Sequence, residues 1–232
     1  MRVALTCVAI GLSLGIAIPA RAGEQPVVVE LYTSQGCSSC PKADALLADL
    51  SGRDDVLPLA LHVGYWDYIG WADTFADPRF MRRQKGYAKA AGERMIYTPQ
   101  IIVGGRYRIV GSRPKQLAAA IRELDARPDA VEVEASRQGE RIMIRASMAE
   151  GATAGKMLVQ VVPFAPRQRV AIRSGENAGA VIDYTHIVTD WQVLGEWDGT
   201  ADWQGEARMD GPVAVLVQAA GFGPILGAAR VD

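Results

Sequence analysis

The chain has 232 residues, 49% hydrophobic and 22% charged, which is ordinary for a packed globular protein of one large or two small domains. Lys and Arg number 25 against 26 Asp and Glu, a formal net charge of −1. That balance offers no clustered positive charge for phosphate neutralisation, so no nucleic-acid partner is expected.

Arg2 precedes an apolar run, Val8 to Ile18, and Ala20-Arg21-Ala22 has the small-x-small pattern of a secretory cleavage site. The run is shorter than the roughly 20 apolar residues that span a bilayer. Residues 1–22 are therefore read as a signal peptide, with the mature chain starting near Gly23 in the periplasm or outside the cell. The later apolar stretch Val213–Val231 is broken by Gly221, Gly223, Pro224 and Gly227, so no membrane anchor is expected after cleavage. Cys7 leaves with the leader, and Cys37 and Cys40 are then the only thiols.

Val27 to Tyr32 is rich in β-branched residues and predicts a strand. The loop Thr33-Ser34-Gln35-Gly36 leads into the cysteine motif. From Pro41 the spacing of Ala43, Leu46, Leu47 and Leu50 predicts a helix with one apolar face. A second strand is predicted over Val56–Val63, then an aromatic loop from Gly64 to Trp71. A helix follows from Asp77-Pro78 to about Ala91, capped by Asp77. Its Arg82, Arg83, Lys85 and Lys89 read as a solvated face. Gln100–Val103, Gly104-Gly105 and Arg106–Val110 predict a hairpin, and Ser112 is expected to cap a helix from Arg113 to Ala126.

Beyond Pro128 only strand patterns occur. Val131–Ala135 and Ile142–Ala146 alternate at period two, and further strands are predicted at Lys156–Pro163, Arg167–Arg173, Ala180–Val188, Trp191–Trp197, Pro212–Gln218 and Ile225–Val231. The expected organisation is an α/β domain over residues 23–128 and a β-rich, sandwich-like domain over residues 129–232.

Cys37-Ser38-Ser39-Cys40 sits where the first strand feeds a helix. Unpaired backbone N–H groups and the positive end of the helix dipole favour a thiolate there. A staple of such short span removes little denatured-state entropy, on the order of 2 kcal/mol, so proximity suits a bond that opens and closes. Cys37, taken as the more exposed member, is expected to attack a substrate disulfide and Cys40 to resolve the mixed disulfide. Zinc would need His62 and His186 as well, from separate elements, so no resident metal or cofactor is expected. Two thiolates with His62 also suit Cu(I) as cargo.

The motif, followed by Tyr97-Thr98-Pro99-Gln100-Ile101-Ile102-Val103-Gly104-Gly105, resembles the thioredoxin and glutaredoxin fold: a central mixed sheet flanked by helices. The resemblance implies that Pro99 is cis and that Thr98-Pro99 presents backbone to an extended substrate segment. It also implies a proton relay from a first-strand carboxylate, for which Glu30 is the candidate; Glu30 is otherwise a surface strand residue. His62 reads as a core histidine or a catalytic one. Tyr65, Trp66 and Asp67 read as accessory groups at the active-site end of the sheet or as loop packing.

Glu30 to Pro41, His62-Val63 with Tyr65-Trp66-Asp67 and Gly70-Trp71, Gly175-Glu176-Asn177-Ala178-Gly179, and Gly223 to Ala228 together resemble a secreted thioredoxin-like family, domain of unknown function 1223. The resemblance implies fold and location but no substrate. The expected function is an exported thiol–disulfide oxidoreductase acting on protein thiols or disulfides, with a redox partner protein and an undetermined direction. The alternatives are a Cu(I)-handling protein and a non-catalytic binding module.

Overall fold

The computed structural model describes residues 25–232; the expected leader and Cys7 lie outside the described residues. Strand β1 (Val27–Thr33) is buried along its whole length. Its side chains alternate between two cores. Val27, Val29 and Leu31 pack with Ala43 and Leu47 of helix α1 (Pro41–Ala48) and with Leu117 and Ile121 of helix α3 (Pro114–Asp125). Val28 and Tyr32 pack with Phe80 and Tyr87 of helix α2 (Pro78–Ala90).

β2 (Val56–His62) runs parallel to β1, and β3 (Gln100–Val103) runs antiparallel on β1's other side. β4 (Tyr107–Val110) returns beside β3 through Gly104 (φ +56°) and Gly105 (φ +68°), a left-handed pair that suits glycine. At Gly105 a Cβ would also lie 2.6 Å from the Gly223 carbonyl oxygen, so the hairpin tip is pressed against the C-terminal half.

The helices depart from expectation in three places. The buried side of α1 includes Asp44 with Ala43 and Leu47, while Leu46 is only half-buried; the inward face is rotated toward Asp44. Asp77 caps α2 by accepting the Arg79 N–H at 2.7 Å. Arg83, expected on the solvated face of α2, is buried, because Glu30 waits beneath it. In α3 the cap position belongs to Arg113, without a side-chain hydrogen bond, and not to Ser112.

From Val131 onward every regular element is a strand: β5 (Val131–Gln138), β6 (Arg141–Met148), β7 (Met157–Ala171), β8 (Val181–Val188), β9 (Gln192–Trp197), β10 (Trp203–Arg208), β11 (Val213–Ala219) and β12 (Ile225–Val231). Two of the predicted strands are one, because β7 carries on through Phe164-Ala165-Pro166 for 15 residues. β10 escaped the sequence reading because Trp-Gln-Gly-Glu-Ala-Arg carries only a weak apolar alternation.

The strands form one nine-stranded mixed sheet, ordered β12-β11-β7-β8-β2-β1-β3-β4 with β9 beside β7, and a three-stranded sheet ordered β10-β6-β5. The link between the two halves of the chain is β8 lying parallel to β2. The smaller sheet covers the β7–β11 region, where Val133, Ile142 and Ile144 meet Val159, Val161 and Val215 in a third core.

Candidate functional site

β1 ends at Thr33, and the chain crosses the sheet end as Ser34-Gln35-Gly36 before the cysteines. That crossing is tied down at each step. The Gln35 N–H donates to Asp73 Oδ2 at 2.8 Å, and the Gln35 side chain accepts from Trp71 Nε1 at 2.8 Å. Cys37 N–H donates to the Ser34 carbonyl and Cys40 N–H to the Cys37 carbonyl, each at 3.1 Å, which tightens the turn into α1. Pro41 follows in the first helical turn, where its missing N–H costs little.

Cys37 and Cys40 are joined by a disulfide. Ser38 and Ser39 between them are exposed, but Cys37 is only 2% exposed and Cys40 fully buried. Ser39 Oγ lies 3.4 Å from Cys37 Sγ.

The Thr98–Pro99 peptide bond is cis. A Cβ placed on Gly111 would sit 2.7 Å from Pro99 Cβ and 2.8 Å from Ala43 Cβ, so only that glycine separates Pro99 from the first turn of α1. Trp66 bridges the two parts. Its backbone packs on Gly36, and its Nε1 donates to Thr98 Oγ1 at 2.6 Å. The Trp66 ring stacks on Tyr68, which is 81% exposed.

Behind the motif lies a buried polar cluster. His62, at the end of β2, holds Asp73 Oδ2 through Nδ1 at 2.7 Å, and its ring meets Phe75 and Tyr184 edge-on. Asp44 is one turn beyond Cys40 on the same helix and is buried. Neither of its carboxyl oxygens makes a well-aligned hydrogen bond, nor do His62 Nε2, Thr33 Oγ1 or the Tyr184 hydroxyl, although Thr33 lies close enough to draw the Asp44 carboxyl down. Burial pushes the Asp44 carboxyl up to about 7, with His62 pulling the other way. Burial, and then the charges of Asp44 and Asp73, hold the Tyr184 phenol well above its ordinary value. Buried groups left unpaired are costly, and their concentration at one spot calls for a functional account.

Not every expected residue belongs to this site. Trp66, Thr98 and Pro99 surround the cysteines, and His62 stands behind them. Tyr65 lies between α2 and Thr98, with its hydroxyl 3.4 Å from Gln84 Oε1 and also within reach of the Thr98 side chain. Asp67 accepts the Asp73 N–H at 3.1 Å and so reaches the motif only through Asp73. Glu30 is not placed with the cysteines. It shares a face with Val28 and Tyr32, across β1 from α1, and pairs with Arg83 Nε at 2.7 Å and the Tyr87 hydroxyl at 2.6 Å. Among the described residues no group of three His, Cys, Asp or Glu side chains is arranged to hold a metal ion.

Residues 28–219 match the family described as protein of unknown function (DUF1223). The chain belongs to the DUF1223 family. A crystal structure of protein AGR_C_4864 from Agrobacterium tumefaciens is similar, with 33% identity and a TM-score of 0.76 over 88% of this chain and 92% of that one. HBP35 of Porphyromonas gingivalis is 14% identical with a TM-score of 0.61, covering 89% of this chain and 74% of its own, a likeness of fold alone. A comparison with curated proteins found no match.

For this DUF1223 chain, sequence reasoning missed Asp44, Asp73, Glu176, Asn177 and Tyr184. Asp44 had a usable signal: it stands four residues after Cys40, on the same side of the helix. Glu176 and Asn177 enter the sequence pattern without a role assigned to either. Glu176 Oε2 accepts the Ser38 N–H at 3.2 Å, and Asn177 Nδ2 donates to the carbonyls of Gln35 and Cys37 at 2.8 and 3.0 Å.

Proposed function

We propose that this protein is an exported, thioredoxin-like thiol–disulfide oxidoreductase that acts on protein cysteines in the periplasm or outside the cell. The observation that carries the reading is the Cys37–Cys40 disulfide at the mouth of α1, beside Pro99 and one turn above the unpaired Asp44. In the reducing direction, the Cys37 thiolate attacks one sulfur of a substrate disulfide. A Cys37–substrate bond forms, and one substrate sulfur leaves as thiolate. Cys40 gives up its proton and attacks Cys37 Sγ, which closes the internal disulfide and releases the second substrate sulfur. The substrate gains two electrons and the protein loses two; an external dithiol returns them. The reverse sequence oxidises a substrate dithiol.

The surroundings support that chemistry. An acid whose carboxyl titrates near neutral pH is suited to take the Cys40 proton and return it, and Asp44 is such a group. A protein substrate is supported by the surface beside the motif, where exposed Tyr68 stacks on Trp66 and exposed Tyr97 precedes Thr98. The substrate's extended chain would lie against Thr98-Pro99.

A second reading has one observation in its favour: with Cys37 2% exposed, the disulfide of a non-catalytic binding module would stay shut. Cys40→Ser separates the two. Expressed in the native compartment, this variant is expected to accumulate mixed disulfides through Cys37 that disappear on reduction and in the Cys37→Ser/Cys40→Ser double variant. Non-reducing electrophoresis followed by mass spectrometry reads the result and names the partners. An absence of adducts, in a folded variant whose Cys37 reacts with a small disulfide, would favour the binding module.

A further inference from the structure

The loop between β7 and β8 comes from the far half of the chain and is seated on the cysteine motif. Asn177 binds two consecutive turns of the motif loop through its single amide, at the Gln35 and Cys37 carbonyls. Ser174 Oγ donates to the Gly70 carbonyl at 2.6 Å, and Gly175, at φ +76°, leaves 3.2 Å between a Cβ and Trp71 Cβ. The loop is itself braced by Ala178 N–H to the Gly175 carbonyl and Gly179 N–H to the Ile172 carbonyl. Between these anchors Glu176 directs its carboxylate at the Ser38 N–H, the amide adjacent to Cys37.

That amide lies at the start of the turn into α1, among the backbone N–H groups whose positive ends favour a thiolate. Glu176 occupies it and brings a negative charge to the residue next to Cys37, so both effects oppose the thiolate. A less stable thiolate means a less stable reduced protein and a firmer disulfide. We propose that residues 174–179 are a built-in cover whose Glu176 carboxylate biases the Cys37–Cys40 couple toward the disulfide, and so toward donating electrons to substrates. This rests on the oxidoreductase reading and adds a direction to it.

The other charged or titratable groups on the elements around the motif are Lys42 at the start of α1, Arg173 at the start of the loop, Asp67 and Tyr68 in the aromatic loop, and Asp44, His62, Asp73 and Tyr184 behind it. None contacts Glu176 through a hydrogen bond or ion pair, so a charge-only change at Glu176 leaves them in place.

Glu176→Gln removes the charge and keeps an acceptor. It is equilibrated with reduced and oxidised glutathione, and the thiolate absorbance of the reduced protein is followed against pH. The fraction of reduced protein should rise about tenfold in equilibrium constant, equivalent to about 30 mV, with the thiolate forming at lower pH. Asn177→Ala, which loosens the loop without changing charge, should speed alkylation of reduced Cys37 several-fold and leave the potential near wild type. An unchanged potential in Glu176→Gln overturns the proposal, as does an equal shift in both variants, since loosening alone would then explain it. A wild-type disulfide that no glutathione ratio reduces would instead defeat the oxidoreductase reading.

Discussion

Asp44→Asn is expected to raise the stability of the oxidised protein at pH 8 by roughly 3–4 kcal/mol while changing it little at pH 4. In the folded chain the Asp44 carboxyl titrates at about 7 because it is buried, against an ordinary value of 3.8. Between those two values the folded protein keeps a proton that the unfolded chain has lost. Stability therefore falls as pH rises through that window, and the loss is complete above about 7. Asparagine cannot ionise and escapes this loss. Urea unfolding of both proteins at pH 4 and pH 8 measures it. A gap between variant and wild type that is the same at both pH values would show that Asp44 ionises normally. On the proposed oxidoreductase function the same substitution should slow resolution of the mixed disulfide, because the buried carboxyl one turn along α1 from Cys40 can no longer take a proton. A gain in stability with a loss in turnover is the usual mark of a group kept for function.

Arg83→Met is expected to cost about 3–5 kcal/mol, the range for breaking a buried ion pair from one side. Arg83 binds Glu30 at 2.7 Å, the Tyr87 hydroxyl at 2.8 Å and Gln218 Oε1 at 3.0 Å, with its guanidinium 3.8 Å over the Trp191 ring. Glu30 is fully buried and takes its second strong bond from Tyr87. Removing the arginine leaves that carboxylate without a counter-charge. Adding Glu30→Gln to Arg83→Met should recover most of the loss, since the uncompensated charge is then gone. Chemical unfolding of both singles and the double gives the coupling directly. A single variant losing less than about 1 kcal/mol would mean that water or a shifted side chain replaces the arginine.

The two residues show where the sequence was readable and where it was not. The cysteine spacing, the strand before it and the helix after it follow from local pattern, and so do all three helices to within a few residues. Glu30 failed as a relay candidate for a reason that strand geometry supplies. Side chains alternate along a strand, so Glu30 falls on the face of Val28 and Tyr32 and not on that of Val29 and Leu31, which α1 covers. Its side chain therefore meets α2 rather than α1. Arg83 looked like one more solvated cation because nothing local announces a buried partner 53 positions away. Asp44 lay unnoticed among alanines and leucines, where a lone aspartate reads as the polar side of a helix. Glu176 and Asn177 meet the motif across 138 to 142 positions of chain, a pairing that only the assembled sheet brings about.

The position of β8 against β2 also sets an order of assembly. All seven residues of β2 are buried, and the strand's open side is covered by β8, which lies more than a hundred residues later. Chains are made from the N-terminus, so β2 exists for a time as a bare, apolar edge of the kind that pairs with other chains. The Cys37-Ser38-Ser39-Cys40 turn has been made at that stage, but β8 and the loop that precedes it have not. The second half of the chain thus shields an apolar edge that the first half leaves open by itself.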